Sequence, residues 1–152
     1  MNRDLLILRD PRESWKRCSL RPLRGMDGVR FVAWKPGLEL AGEGRVLLDP
    51  AAEPIGERDR GRRLLLLDSS WRRLPQLRRS LVGEFVPRSL PALQTAYPRK
   101  SSTFADPEQG LASIEALYAA LALLGAPDPA LLEGYRFAEP FLAANPGLVE
   151  GT

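Results

Sequence analysis

The chain's 152 residues suffice for one ordinary domain, and 44% hydrophobic against 27% charged residues excludes a wholly disordered chain. It contains no His and a single Cys, Cys18, which excludes Ser-His-Asp and Cys-His catalysis, an internal disulfide and most zinc chemistry. The formal charge of +3 hides an asymmetry, since residues 1–100 hold 21 basic and 12 acidic residues, and residues 101–152 hold Arg136 against seven acidic ones.

In chain order, Leu5-Leu6-Ile7-Leu8 is a short apolar run ended by Asp10-Pro11, and it predicts a buried strand. Four apolar residues are too few for a signal peptide, and Gly125, Pro127, Asp128 and Pro129 break the longest uncharged stretch, so neither a leader nor a membrane span is expected. Arg12 to Leu23 reads as a short helix or turn before Pro22. Val29 to Trp34 and Arg45 to Leu48 predict two further strands, stopped by Lys35-Pro36-Gly37 and Asp49-Pro50. Residues 49–62 predict a charged loop or one helical turn.

Leu64 to Leu67 is uniformly apolar rather than alternating, the pattern of a strand covered on both faces in the middle of a parallel sheet. Asp68-Ser69-Ser70 then predicts a helix start, with Trp71, Leu74 and Leu77 at three-residue spacing and Pro75 either breaking the helix or sitting in its first turn. Phe85 to Leu93 predicts a weak strand, and Tyr97 to Gly110 a long loop. Leu111 to Leu124 is the clearest helix, with Ile114, Leu117, Tyr118, Leu121 and Leu124 on one face and Gly125 as its stop. Pro129 to Asn145 predicts a second C-terminal helix or helix pair interrupted by Pro140. Strands alternating with helices imply an α/β domain.

Three segments carry chemistry. The junction from Leu64 to Trp71 delivers Asp68, two hydroxyls and an aromatic to the carboxyl end of a strand, where open α/β sheets bind ligands; the same residues also suit a helix cap and a core aromatic. Gly110 to Ala116 is a small-residue helix N-terminus with Glu115 in its first turn, which suits either an anion or an ordinary cap. Tyr97-Pro98-Arg99-Lys100 is a basic loop with an aromatic, suited to phosphates and a stacked base or simply to solvent. Between Arg58 and Arg79 there are eight Arg and two Asp; on one face, such a run would attract RNA or DNA. The adjoining helix start and nearby Arg residues are expected to keep Asp68 ionised.

In this order the segments resemble the Tsr3 and DTW-domain superfamily. Leu64 to Arg72 is similar to its strand-plus-D-x-[TS]-W hallmark, and Tyr97 to Lys100 followed by Gly110 to Ala116 resembles its Y-x-x-R-K and L-S-T-x-E-A segments. Ile7 to Glu13 looks like the DTW L-x-H-P-x-E stretch, Lys16 to Ser19 like the Tsr3 K-[KR]-C-[ST], and Phe137 to Asn145 like the Tsr3 C-terminal helix. The chain lacks the DTW cysteine cluster, carries Asp10 where that pattern has His, and has Ala112 at a hydroxyl position.

The resemblance implies a SPOUT-like, mainly parallel α/β sheet flanked by helices, with a C-terminal trefoil-type knot. It implies one domain over 1–152, with 1–43 as its N-terminal part. The implied activity is transfer of the 3-amino-3-carboxypropyl group of S-adenosylmethionine to a uridine or pseudouridine of rRNA or tRNA. Alternatives are a SPOUT-type methyltransferase and an inactive RNA-binding homologue. On this reading Asp68 orients the nucleobase or takes its N3 proton, while Leu67, Leu111 and Trp71 surround the cofactor. Ser19, Ala112, Ser113 and Glu115 complete the cofactor site, and Arg72, Arg73, Arg99 and Lys100 bind RNA phosphates. A cytoplasmic monomer without metal or membrane partner is expected.

Overall fold

The computed structural model describes residues 3–15, 18–70, 72–96 and 111–150, with residues 149 and 150 described by backbone alone. Among the described residues, seven strands run β1 Leu5–Arg9, β2 Val29–Ala33, β3 Leu40–Ala41, β4 Val46–Leu48, β5 Leu64–Asp68, β6 Leu81–Val82 and β7 Val86–Arg88. Four α-helices among the described residues follow the same order: α1 Leu74–Arg78, α2 Ser113–Leu123, α3 Ala138–Ala144 and α4 Gly147–Glu150. The main sheet has the order β2-β1-β5-β4-β7, and each neighbouring pair is parallel.

The run Leu64–Leu67 occupies the central strand, where a residue needs apolar partners above and below. Leu64 and Leu66 join Leu5, Ile7 and Val46 under α2, against Ile114, Leu117, Tyr118 and Leu121. Leu65 joins Leu6, Leu8 and Leu47 on the opposite face, with Leu77 of α1 and Leu81 of β6. Two apolar layers therefore sandwich β5, as its sequence demands. In-register pairing sets Leu5 beside Leu64 and carries on to Arg9 beside Asp68, so two charged residues close two apolar strands side by side.

Four details differ from the expectations. Asp68 ends β5 instead of capping a helix: α1 begins at Leu74, has Pro75 in its first turn and has no side-chain cap. The two-residue strands β3 and β6 form a separate parallel pair, too short to leave a periodic signal. Pro140 sits in the first turn of α3, where its missing N–H costs nothing, and does not interrupt that helix. The Arg run is split by β5 itself, which puts Arg60, Arg62 and Arg63 at the amino end and Arg72, Arg73, Arg78 and Arg79 beyond the carboxyl end, about 16 Å of strand apart. The expected loop Tyr97–Gly110 lies outside the described residues.

Candidate functional site

β1 leads to β2 on one side of the sheet, while β5 leads through α1 and β6 to β7 on the other. Their connections diverge at the carboxyl ends of β1 and β5, the switch point at which open α/β sheets bind ligands. Beside it lies a cleft of about 690 Å³ at the carboxyl ends of β4, β5 and β7. Leu48, Leu66, Leu67, Leu93 and Leu111 give it apolar walls; Asp49, Ser69, Ser89 and Ser113 add polar groups. The structure thus brings the predicted Leu67, Leu111 and Ser113 together. Asp49 and the Ser89–Leu93 segment, read in the sequence only as a strand stop and a weak strand, are site residues that it did not single out, although the strand-end rule that selects Asp68 applies equally to Asp49 after β4.

The start of α2 borders this cleft. Ile114 N–H donates to Ser19 Oγ at 3.1 Å, which ties the turn before Leu20 to the helix. Glu115 is fully buried, and its two oxygens accept from Ala112 N–H at 2.9 Å, Thr95 Oγ1 at 2.5 Å, Ala96 N–H at 2.9 Å and Tyr135 OH at 2.8 Å. Those bonds join residues 95–96, α2 and Tyr135. The carboxylate expected to touch the cofactor is spent on the protein, and its effect on the cleft runs through the walls it fixes. Ser19 likewise spends an acceptor on α2. Ala112 is the extended residue at the helix entry.

Around Asp68 a second set of groups converges. Arg9 Nη1 donates to Asp68 Oδ2 and to Cys18 Sγ, the latter at 3.1 Å, and Arg9 Nη2 donates to the Glu13 carbonyl at 3.0 Å. The Cys18 thiol lies 3.7 Å from the same Asp68 oxygen. The Arg9 guanidinium stands 3.7 Å from the centre of the Trp15 ring, and Arg24 lies 4.5 Å from it. Asp10 is buried beside them; its Oδ2 faces Ser69 Oγ at 3.5 Å and Arg73 Nε at 3.6 Å.

Burial pushes the Asp68 carboxyl above the usual carboxylate range, and the Arg9 charge opposes that rise. Burial also raises Glu13, reinforced by the charges of Asp68 and Asp10, and raises the Cys18 thiol, reinforced by Asp68. Of the helix start and nearby Arg residues expected to favour the ionised Asp68, the helix start is corrected and the cation is present, opposing the burial. No helix begins at Asp68, and the cation that touches it is Arg9, from the adjacent strand. Sequence alone gives no register, so that partner was invisible in it.

Arg72 is exposed and Arg73 half-buried toward Asp10, both beyond the carboxyl end of β5 and so on the side of the cleft. Trp71, Arg99 and Lys100 lie outside the described residues. Among the described residues no group of three or more His, Cys, Asp or Glu is arranged to hold a metal ion, and no helix is long and apolar enough to cross a membrane.

A parallel α/β domain with a ligand-sized cleft at its strand ends and a buried ion pair at its switch point defines the class of protein. The family described as "Ribosome biogenesis protein, C-terminal" matches residues 46–151, and the chain belongs to that family. Among solved structures the chain is similar to the S-adenosylmethionine-dependent rRNA acp-transferase Tsr3 from Vulcanisaeta distributa. The match has a TM-score of 0.74 and 28% identity, and covers 99% of this chain and 82% of that one. No curated protein sequence matches the chain.

Proposed function

We propose that this protein is an RNA aminocarboxypropyltransferase that moves the 3-amino-3-carboxypropyl group of S-adenosylmethionine onto a uridine or pseudouridine of rRNA. The observation that carries this reading is the likeness to the rRNA acp-transferase over 99% of the chain, and the ribosome-biogenesis family favours rRNA over tRNA. SPOUT-like threading with a C-terminal trefoil-type knot belongs to the same reading and is supported by the sequence resemblance.

The residues present fit such a cofactor. A cleft of about 690 Å³ lies within the roughly 300–1,000 Å³ range of small-molecule sites. Its leucines suit an adenine ring, and the Ser113 and Ser89 side of the cleft suits polar groups. Bound there, S-adenosylmethionine would supply the electrophile, a γ-carbon on a sulfonium, with a neutral thioether as the leaving group when the base nitrogen forms its bond to that carbon.

The protein orients the partners and manages one proton. Leu67 and Leu111 exclude water from the cleft. Asp68 accepts a hydrogen bond from the uridine N3–H, fixes the ring and takes the proton as the new bond forms. Arg72, Arg73, Arg99 and Lys100 hold the RNA backbone through its phosphates. Calorimetric titration with S-adenosylmethionine, followed by single-turnover transfer of label to rRNA, tests the proposal. Binding without transfer of the aminocarboxypropyl label would overturn it.

A further inference from the structure

Resting on the function just proposed, the geometry points to Arg9 as a positioning residue for the transfer, one that holds the Asp68 carboxylate charged and aimed while touching neither cofactor nor base itself. Three observations carry this. Register pairing places Arg9 beside Asp68 at the ends of two neighbouring strands, so neither backbone can swing the groups apart without breaking the central sheet. The guanidinium is fixed on every side: by Asp68 Oδ2, by Cys18 Sγ at 3.1 Å, by the Glu13 carbonyl at 3.0 Å and by the Trp15 ring face at 3.7 Å. Both side chains are largely buried, Arg9 at 5% and Asp68 at 8% exposure, so water screens the pair little.

The pairing also solves a physical problem. An isolated carboxylate buried at this depth would take up a proton and lose its capacity to accept one from a base. Asp10 and Glu13 add negative charge nearby and worsen the problem; Arg73 approaches Asp10, and Cys18 supplies only a weak dipole. Among the described residues Arg9 is the only cation in contact with Asp68. It engages Asp68 through one oxygen, Oδ2, and among the described residues no donor meets Oδ1, the oxygen that the proposed function gives to the substrate.

The test is a carboxylate titration followed by carbon-13 NMR, with D68N identifying the Asp68 resonance, run beside single-turnover transfer against pH. In R9M the Asp68 resonance should titrate at least about one pH unit higher than in the native protein, the scale of removing an adjacent Arg. The acid limb of the transfer rate should move with it, and S-adenosylmethionine affinity should stay within about threefold. R9K, which keeps the charge and loses the fork, should restore most of the titration shift and leave transfer slowed about tenfold with KM unchanged. If R9M does not fold, R9K alone decides: a native titration with a slowed kcat supports positioning, and a native kcat or a raised Asp68 titration overturns it. An Asp68 titration unmoved in folded R9M overturns the inference. The NMR arm needs no turnover, so a protein that transfers nothing fails the proposed function without failing the Arg9–Asp68 linkage.

Discussion

A carboxyl group at the end of a buried strand is pulled two ways, toward protonation by its surroundings and toward ionisation by any cation within reach. At Asp68 these are burial and Arg9. Replacing Asp68 by Asn preserves shape and removes the proton acceptor, so transfer should slow on the order of 10²–10⁴-fold while S-adenosylmethionine binding persists. A native single-turnover rate in folded D68N would remove Asp68 from the mechanism. Glu115 makes the opposite case: with four donors on its carboxylate, its substitution by Ala orphans buried groups. E115A should cost about 2–4 kcal/mol of stability, measured by denaturant titration, several times the cost of one exposed hydrogen bond. The sequence singled out both residues because an apolar strand and a helix start marked their positions. It misassigned the work of Glu115, because its partners Thr95, Ala96 and Tyr135 are about twenty residues away on either side.

At the scale of elements, turns and junctions set where the strand ends fall. Gly28 opens β2 with φ at +81°, and a Cβ there would run into the Arg3 carbonyl oxygen beside β1. G28A should therefore destabilise the protein by more than the roughly 1–2 kcal/mol that a left-handed backbone costs an L-residue, read as a fall in Tm. Asp59 ties the turn Glu57–Asp59 to β7, with Arg88 Nε donating to its two oxygens at 3.2 and 3.0 Å.

Burial alone would raise the Asp59 carboxyl. The Gly56 N–H and Arg88 more than offset that and hold it below the usual range. A lowered carboxyl contributes stability above its unfolded value, near pH 4, which is lost as pH falls through the folded value. D59N should be less stable at neutral pH and should lose less on acidification between about pH 4 and pH 2 than the native protein. Equal acid slopes would contradict this. β1, β4 and β5 of the main sheet were legible because each is an apolar run between turn residues, whereas β7, Val-Pro-Arg, left only a weak signal. β3, β6 and the true start of α1 were not legible, since two residues carry no period and Pro75 suits either a first turn or a break.

For the whole molecule, under the proposed function charge decides where RNA would lie. The Arg-rich run that looked like one patch in sequence is divided by the central strand, and its halves belong to opposite ends of the sheet. Only the half with Arg72 and Arg73 is on the cleft side. Replacing Arg72, Arg73, Arg99 and Lys100 by Ala should lower RNA affinity and reduce the salt slope by roughly 0.7 for each phosphate of a single strand that is no longer neutralised. Replacing Arg60 and Arg62 should change the slope less, and an equal fall from both sets would place RNA along the entire sheet.

The central claim concerns which group moves, and one measurement addresses it. Purified protein and rRNA are incubated with S-adenosylmethionine labelled either in the methionine chain or in the methyl group, and the digested nucleosides are read by mass spectrometry. The account predicts a uridine-derived nucleoside carrying the chain label and no methyl label, formed far more slowly when D68N replaces the native protein. Methyl label in the nucleoside, or no labelled nucleoside from a protein that binds the cofactor, would contradict it.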